Sequence, residues 1–379
     1  MNSVFLPLML RNIKVACCAI LVGGVVGCST DVELNAPYDS KTIVFGLLEA
    51  DADTQWVKIN RTWLGEGNNL DYAAIRDSSE YQEGEFVGTI NEIVNGGVVN
   101  SFTIQDTLLD NKDEDGIFFA PQHTAYYIAT PSGLNDEADY SIELDFTNKD
   151  DVSSSTNMIN TVPGAITFPP QGNPEFQMSW ANVTGVANVV YFDPIFKWTS
   201  SANASRYEAA LTVYIVENVW NDLAHTDLVS STPRQLEWFL GSETATGQQG
   251  QTINMKVEGR GFYSFLNSRL TADPFVTREI GIWDEEEQFV RAFDFTLTIA
   301  NDELATYLAI NEPVTNIVQE RPEYTNINNG LGLWASRSEE KAVGIGFTTG
   351  TMRALQQSDL TQGLNFCSPN PFDDELGCQ

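Results

Sequence analysis

Arg206-Tyr-Glu-Ala-Ala-Leu-Thr-Val-Tyr-Ile-Val216 decides the fold class. Tyr207, Ala209, Leu211, Val213 and Ile215 fall on every second position, which is the period of a half-buried strand and not of a helix. The stretch from Phe289 to Ile299 repeats the pattern through Phe293, Phe295, Leu297 and Ile299. Val343, Ile345 and Phe347 carry it once more near the C-terminus. Working back toward the N-terminus, Tyr140, Ile142, Leu144 and Phe146 alternate cleanly. Thr42 to Leu48, Gln55 to Arg61, Phe86 to Ile93, Val98 to Gln105 and Thr124 to Ala129 are further strand candidates. Asn95-Gly96-Gly97 and Pro131-Ser132-Gly133 supply turns between them.

The expectation is a mostly β protein of two packed domains. Residues 41–165 would form an N-terminal immunoglobulin- or transthyretin-like sandwich. Residues 166–379 would form a larger β domain with a few short helices. The boundary is placed near residue 165 because Asp150 to Thr156 is polar and Pro163, Pro169, Pro170 and Pro174 crowd the next stretch. Asp302 to Ile310 reads as a helix with Asn301 as N-cap. Gly261 to Leu270 and Met352 to Leu360 are weaker helix candidates.

The first 27 residues read as a targeting segment. Arg11 and Lys14 precede an apolar run, Val15 to Val26, too short to span a bilayer comfortably. Met9 is a second candidate start. The run ends in Val25-Val26-Gly27-Cys28, the pattern of a lipoprotein cleavage site. The expected chemistry is lipid attachment at Cys28 with several acyl chains, enough for stable anchoring. Residues 28–40 would then be a short tether, and the membrane itself becomes the first expected partner.

The chain carries 52 acidic and 20 basic side chains, for a formal charge of −32. Residues 1–27 hold two of the basic groups and no acidic one, so the processed chain stands at −34. Such a body repels nucleic acid and anionic lipid surfaces. Of the five cysteines, Cys17 and Cys18 leave with the leader and Cys28 is lipidated. Cys367 and Cys378 remain, and in an exported protein a disulfide closing the C-terminal tail is the leading reading; metal binding by the pair is the weaker one.

Three stretches taken together resemble a known family. They are Cys28-Ser-Thr-Asp-Val-Glu-Leu-Asn-Ala-Pro37 with the strands at Thr42–Leu48 and Trp56–Arg61; Asp302-Glu-Leu-Ala-Thr-Tyr-Leu308; and Tyr324-Thr-Asn-Ile-Asn-Asn-Gly-Leu-Gly-Leu-Trp334. Their order and spacing are similar to the Bacteroidota lipoproteins of domain-of-unknown-function family 4249. Asn329 stands where a glycine is common there, and Trp334 where phenylalanine is common. The resemblance implies an outer-membrane lipoprotein, often encoded beside TonB-dependent transporters. It implies no established activity and assigns no site residue beyond Cys28. Gly330 and Gly332 read as backbone punctuation, with a ligand-facing loop as the alternative.

Signals for chemistry are thin. His123 and His225 are the only histidines, and no Gly-x-Ser-x-Gly or His-Glu-x-x-His motif occurs. Calcium is the one cofactor candidate: Asn111, Asp113 and Asp115 sit at alternate positions before Gly116, as in the first half of a calcium loop. Position twelve falls on Gln122 instead of Glu, and an acidic surface turn is the competing reading. Asp284-Glu-Glu-Glu287 reads as a solvated hairpin tip. Trp198, Tyr207 and Tyr214 suggest either core packing or sugar stacking, with core favoured; Trp63 and Trp220 are the better binding candidates. Asp106-Thr107-Leu108 resembles a short bacterial O-glycosylation motif. The leading function is a non-enzymatic accessory that binds a nutrient or docks on a TonB-dependent outer-membrane transporter. A structural or adhesive surface protein and a carboxylate-based surface hydrolase are the alternatives.

Overall fold

The computed structural model describes residues 38–379 except 66, 171–174, 186–187, 313–322, 374 and 379. Cys28, the leader and most of the tether lie outside the described residues. The protein is mostly β, with one large mixed sheet, several smaller sheets and a few short helices.

Eight strands form the first half: β1 (Thr42–Leu48), β2 (Thr54–Arg61), β3 (Phe86–Val94), β4 (Gly97–Thr103), β5 (Gln105–Asp110), β6 (Gln122–Ala129), β7 (Asp139–Phe146) and β8 (Val152–Asn157). They make two facing sheets, β4-β3-β7-β8 and β1-β2-β6-β5. The inward-facing side chains of the two sheets, among them Val44, Val57, Ile59, Ile90, Ile142 and Leu144, share one core. Each such fully buried side chain contributes about 1.5–3 kcal/mol relative to exposure. Asn95 and Gly96 both adopt positive φ, the requirement of a two-residue hairpin turn between β3 and β4.

Two strands here escape the sequence pattern. β5 continues from β4 with only Ile104 between them, so the chain switches sheets there without a turn signal. β8 falls in the stretch read as a polar break. Its inward residues are Val152, Ser154 and Thr156, and the Ser154 hydroxyl donates to the Asn326 carbonyl at 2.7 Å. Small hydroxyl side chains satisfied by backbone can occupy an interior face that composition alone reads as loop.

The second half comprises β9 (Ile166–Phe168), β10 (Gln177–Met178), β11 (Ala181–Thr184), β12 (Asn188–Tyr191), β13 (Ile195–Thr199), β14 (Arg206–Trp220), β15 (Leu228–Thr244), β16 (Thr252–Lys256), β17 (Val276–Ile280), β18 (Ile282–Asp284), β19 (Phe289–Arg291), β20 (Phe293–Ala300), β21 (Gly330–Phe347) and β22 (Phe366–Cys367). The Arg206 stretch is indeed a strand, and all five of its alternating apolar residues are buried. One edge of β14 pairs with β15; the other pairs with β20 and then β17. The core here is aromatic: Trp180 stacks on Phe262 at 5.0 Å and Phe196 lies 4.5 Å from Phe295.

Helices α1 (Asn69–Ala73), α2 (Arg76–Ser79), α3 (Gly259–Arg269), α4 (Asp302–Asn311) and α5 (Thr349–Gln357) complete the described elements. Asn301 caps α4 by accepting the Leu304 N–H, as its sequence position suggests. α5 sits three residues earlier than the sequence reading because Thr348, and not a later residue, caps it.

β21 joins the two halves. Its first seven residues lie parallel to β1, from Thr42↔Gly330 to Leu48↔Ser336. Its remainder runs antiparallel to β20, from Ala300↔Arg337 to Phe293↔Ile345. The first sandwich is therefore completed by residues 327–336, and Ile327 and Trp334 belong to its core. Gly332 (φ +114°) is required at this junction, since a Cβ there would lie 2.0 Å from the Val44 carbonyl oxygen.

Cys367 and Cys378 form a disulfide with Cα atoms 4.9 Å apart. It ties the last turn to β22, which pairs with β17. Closing a loop of this length removes denatured-state entropy equivalent to about 2–3 kcal/mol. The Cys367→Ser/Cys378→Ser double variant should lose about that much, measured by urea unfolding under oxidising conditions.

Glu217 on β14 lies between Arg278 (2.9 Å) and Arg234. Arg278 is itself buried and donates to the Leu364 and Thr271 carbonyls. Burial works to raise the Glu217 pKa, but hydrogen bonds and charge from the two arginines outweigh it and hold the carboxyl below its ordinary 4.5. The unfolded chain then takes up this proton first as pH falls. The contribution is fully present above about pH 4.5 and is lost progressively below it. Glu217→Gln should flatten that part of the acid limb in a stability-versus-pH series.

Candidate functional site

The sequence-derived candidates do not assemble into one site. Cys28 lies outside the described residues. In the loop between β5 and β6, Asp113 accepts the backbone N–H of Asp115 at 3.0 Å, which makes an exposed Asx turn. Asn111, Asp113 and Asp115 belong to no group of three or more His, Cys, Asp and Glu with metal-binding geometry among the described residues. Asp284 likewise caps its own turn, accepting from Glu286 and Glu287 N–H. Trp198 and Tyr207 are fully buried 5.6 Å apart, so they are core and offer no sugar platform. Trp63 and Trp220 are half-buried, and their indole N–H groups donate to Asn69 O and Thr277 Oγ1. Gly330 and Gly332 serve the close approach of β1 and β21.

What the fold does build is a cavity of about 480 Å³ at one end of the first sandwich. It lies where the chain passes from β4 to β5 at Ile104, beside the loop that follows α2. Tyr81, Phe86, Gly88 and Tyr126 line it with Ile104, and Arg76, Asp77, Gln82, Glu83, Asp106 and Thr124 supply polar groups. Sequence reading missed it because its walls come from three separated stretches, within residues 76–88, 103–108 and 124–126, and none carries a motif. Asp106, noted only as part of a glycosylation-like triplet, is one of its wall residues.

The aromatic side is a cluster of four rings. Tyr81, Phe86, Tyr126 and Phe146 sit 5.3–5.4 Å apart in tilted and edge-on pairs. Each such pair adds about 0.5–1.5 kcal/mol beyond area burial. Lys149 stands 4.7 Å over Phe146 and 5.4 Å over Tyr81, and Arg61 lies 5.3 Å from Tyr81. Lys149 also donates to Tyr81 Oη, Thr42 Oγ1 and the Ser40 carbonyl at 2.7–3.2 Å. The first residues of the described chain are thus bonded to the cavity's aromatic wall.

The polar side is partly self-neutralised. Arg76 Nε pairs with the buried Glu80 at 2.8 Å, and Nη2 donates to Thr124 Oγ1 at 2.7 Å. Glu80 also accepts from Thr124 N–H and Oγ1–H. Asp77, Glu83 and Asp106 are exposed at the rim. Tyr126 is only 6 % exposed and lines the cavity, and its hydroxyl, which is not sealed from solvent, bonds no other described residue. Burial first, and then the charges of Asp106 and Glu80, push its phenol well above the ordinary range. It stays protonated at any physiological pH, a neutral group able both to donate and to accept.

No helix among the described residues is long and apolar enough to cross a membrane. No family model matches the chain, and no curated protein does. One solved structure it is compared with is the C-terminal globular domain of an oligosaccharyltransferase from Pyrococcus abyssi, at 10% identity and a TM-score of 0.18. That match covers 82% of this chain, which spans about half (48%) of the solved one.

Proposed function

We propose that this chain is a lipid-anchored accessory protein of an outer membrane, which uses the cavity at the end of its first sandwich to bind a small ligand for a TonB-dependent transporter. The reading assigns no catalytic residue. The observation that carries it is the Val25-Val26-Gly27-Cys28 pattern followed by a short tether into β1. The resemblance to the Bacteroidota family named above points the same way. At about 3.5 Å per residue, residues 28–40 cannot hold the body more than about 45 Å from the bilayer. Ser40 and Thr42 share Lys149 with Tyr81, so the cavity sits at the tethered end of the molecule. A ligand held there is close to the mouth of a membrane barrel.

Mass spectrometry of the mature N-terminus should find Cys28 modified by diacylglycerol, and Cys28→Ala should release the protein from the membrane fraction. Mild detergent extraction should bring down a TonB-dependent barrel with the wild-type chain. A water-soluble Cys28 without lipid would end the anchoring reading, and recovery of the lipidated protein with no barrel would end the transporter role.

A further inference from the structure

The cavity's charge and ring chemistry restrict what can enter it; this inference rests on the cavity being a binding site. Of the four charged side chains that line it, Arg76 is compensated by Glu80, which leaves Asp77, Glu83 and Asp106 without a paired cation among the described residues. The whole chain adds a field of the same sign, with formal charge −32. Anions are repelled from such a mouth and cations are drawn in. A neutral polyol would leave the three rim carboxylates without a counter-charge. Aromatic faces favour cations as well. The same ring cluster already holds two of the protein's own, Lys149 and Arg61, on Tyr81 and Phe146. Phe86 and Tyr126 carry no such partner among the described residues.

Tyr126 adds a second and independent mark. Its ring is buried, but its hydroxyl is not sealed off and stays open to water or to a ligand in the cavity. No described residue bonds it, and Tyr126 lines the cavity. Its oxygen can accept a hydrogen bond from an ammonium group, or face an alkylated one as a neutral dipole.

We propose that the cavity takes a small organic cation, an amine or a quaternary ammonium, whose charge faces the carboxylates of Asp77, Glu83 and Asp106 while its carbon skeleton lies against Phe86 and Tyr126. Glu83 and Asp106 act as rim charges that steer the ligand. Tyr126 and Phe86 discriminate at the floor.

The test uses the full lipidated protein in detergent micelles with ring-labelled tyrosine. The probes are tetramethylammonium, 1,5-diaminopentane, glucose, maltose and sulfate. Saturable binding of either cation, with the Tyr126 ring signal shifted, is expected. Tyr126→Phe, which removes a hydroxyl that the protein does not use, should weaken binding of the diamine about tenfold or more at unchanged melting temperature. Asp106→Asn should weaken it about threefold and reduce its salt dependence. Glu285→Gln/Glu286→Gln, on an acidic hairpin remote in sequence, should change neither. Equal affinity in Tyr126→Phe would reduce the binding to general attraction by an acidic surface and overturn the proposal. Binding of a saccharide or sulfate at Tyr126, without the amines, would overturn the ligand class and leave the cavity as a binding site. No shift of Tyr126 with any probe would remove both.

Discussion

Trp334→Ala should destabilise the protein by about 3–5 kcal/mol, one of the largest single-residue effects expected anywhere in the chain. The side chain is fully buried in the core of the first sandwich, and its indole N–H donates to the Tyr140 carbonyl at 2.9 Å. Truncation would empty the largest site in that core and strand a buried acceptor. The surroundings have little room to collapse: Gly46 on β1 lies directly against the ring, where even a Cβ would come within 2.3 Å. Asn326 also brackets the Trp334 backbone, donating to its carbonyl at 2.6 Å and accepting its N–H at 2.9 Å. Urea unfolding followed by near-ultraviolet circular dichroism would measure the loss. Trp334→Phe keeps the ring volume closer and should cost less, since the hydrogen bond to Tyr140 is then the main loss. An alanine variant within 1 kcal/mol of wild type would mean that the strand from Gly330 does not seat in this core.

The second large effect concerns a fragment. Residues 38–165 expressed alone should fail to unfold cooperatively, although they contain all eight strands of the sandwich. Without residues 327–336, β1 loses its parallel partner over seven residue pairs, and the core loses Ile327 and Trp334. β1 would then be an unpaired sheet edge with exposed apolar neighbours, a template for aggregation. A peptide spanning residues 324–340, added in trans, should restore protection of the β1 amides in hydrogen exchange. A sharp two-state transition from the fragment alone would show that the sandwich does not need the returning strand.

Both expectations turn on a feature that periodicity could not reveal. The alternation around Tyr207, Tyr140 and Phe295 made the strands and the mostly β class legible, because a strand's burial pattern is local. Asn301 before a helical run, and Asn95-Gly96 between two strands, were legible for the same reason. β8 was not, since Ser154 and Thr156 are polar by composition and become interior only when Asn326 and Glu303 arrive to accept their hydroxyls. The domain boundary near residue 165 follows the polar and proline-rich composition of that stretch. The pairing of β21 with β1 crosses it, joining residues almost 300 positions apart.

The candidate site divides in the same way. The proposed lipidation at residues 25–28 rests on a short linear pattern and needs no fold to be read. The cysteine pair at 367 and 378 was equally open to reading, since redox compartment and elimination left few partners. The cavity depends on Tyr81, Phe86, Ile104, Asp106 and Tyr126 meeting at one corner of a sandwich, and nothing local marks them. Asn111, Asp113 and Asp115 have the spacing of half a calcium loop, and in the fold Asp113 accepts the Asp115 N–H in an exposed turn. Composition and local pattern determined that this is an acidic, mostly β protein, because charge and strand period are properties of short segments. Tertiary structure alone decided that the C-terminal segment completes the N-terminal sandwich, and where a cavity opens at the end of that sandwich. Those are contacts between distant residues, and only packing brings them together.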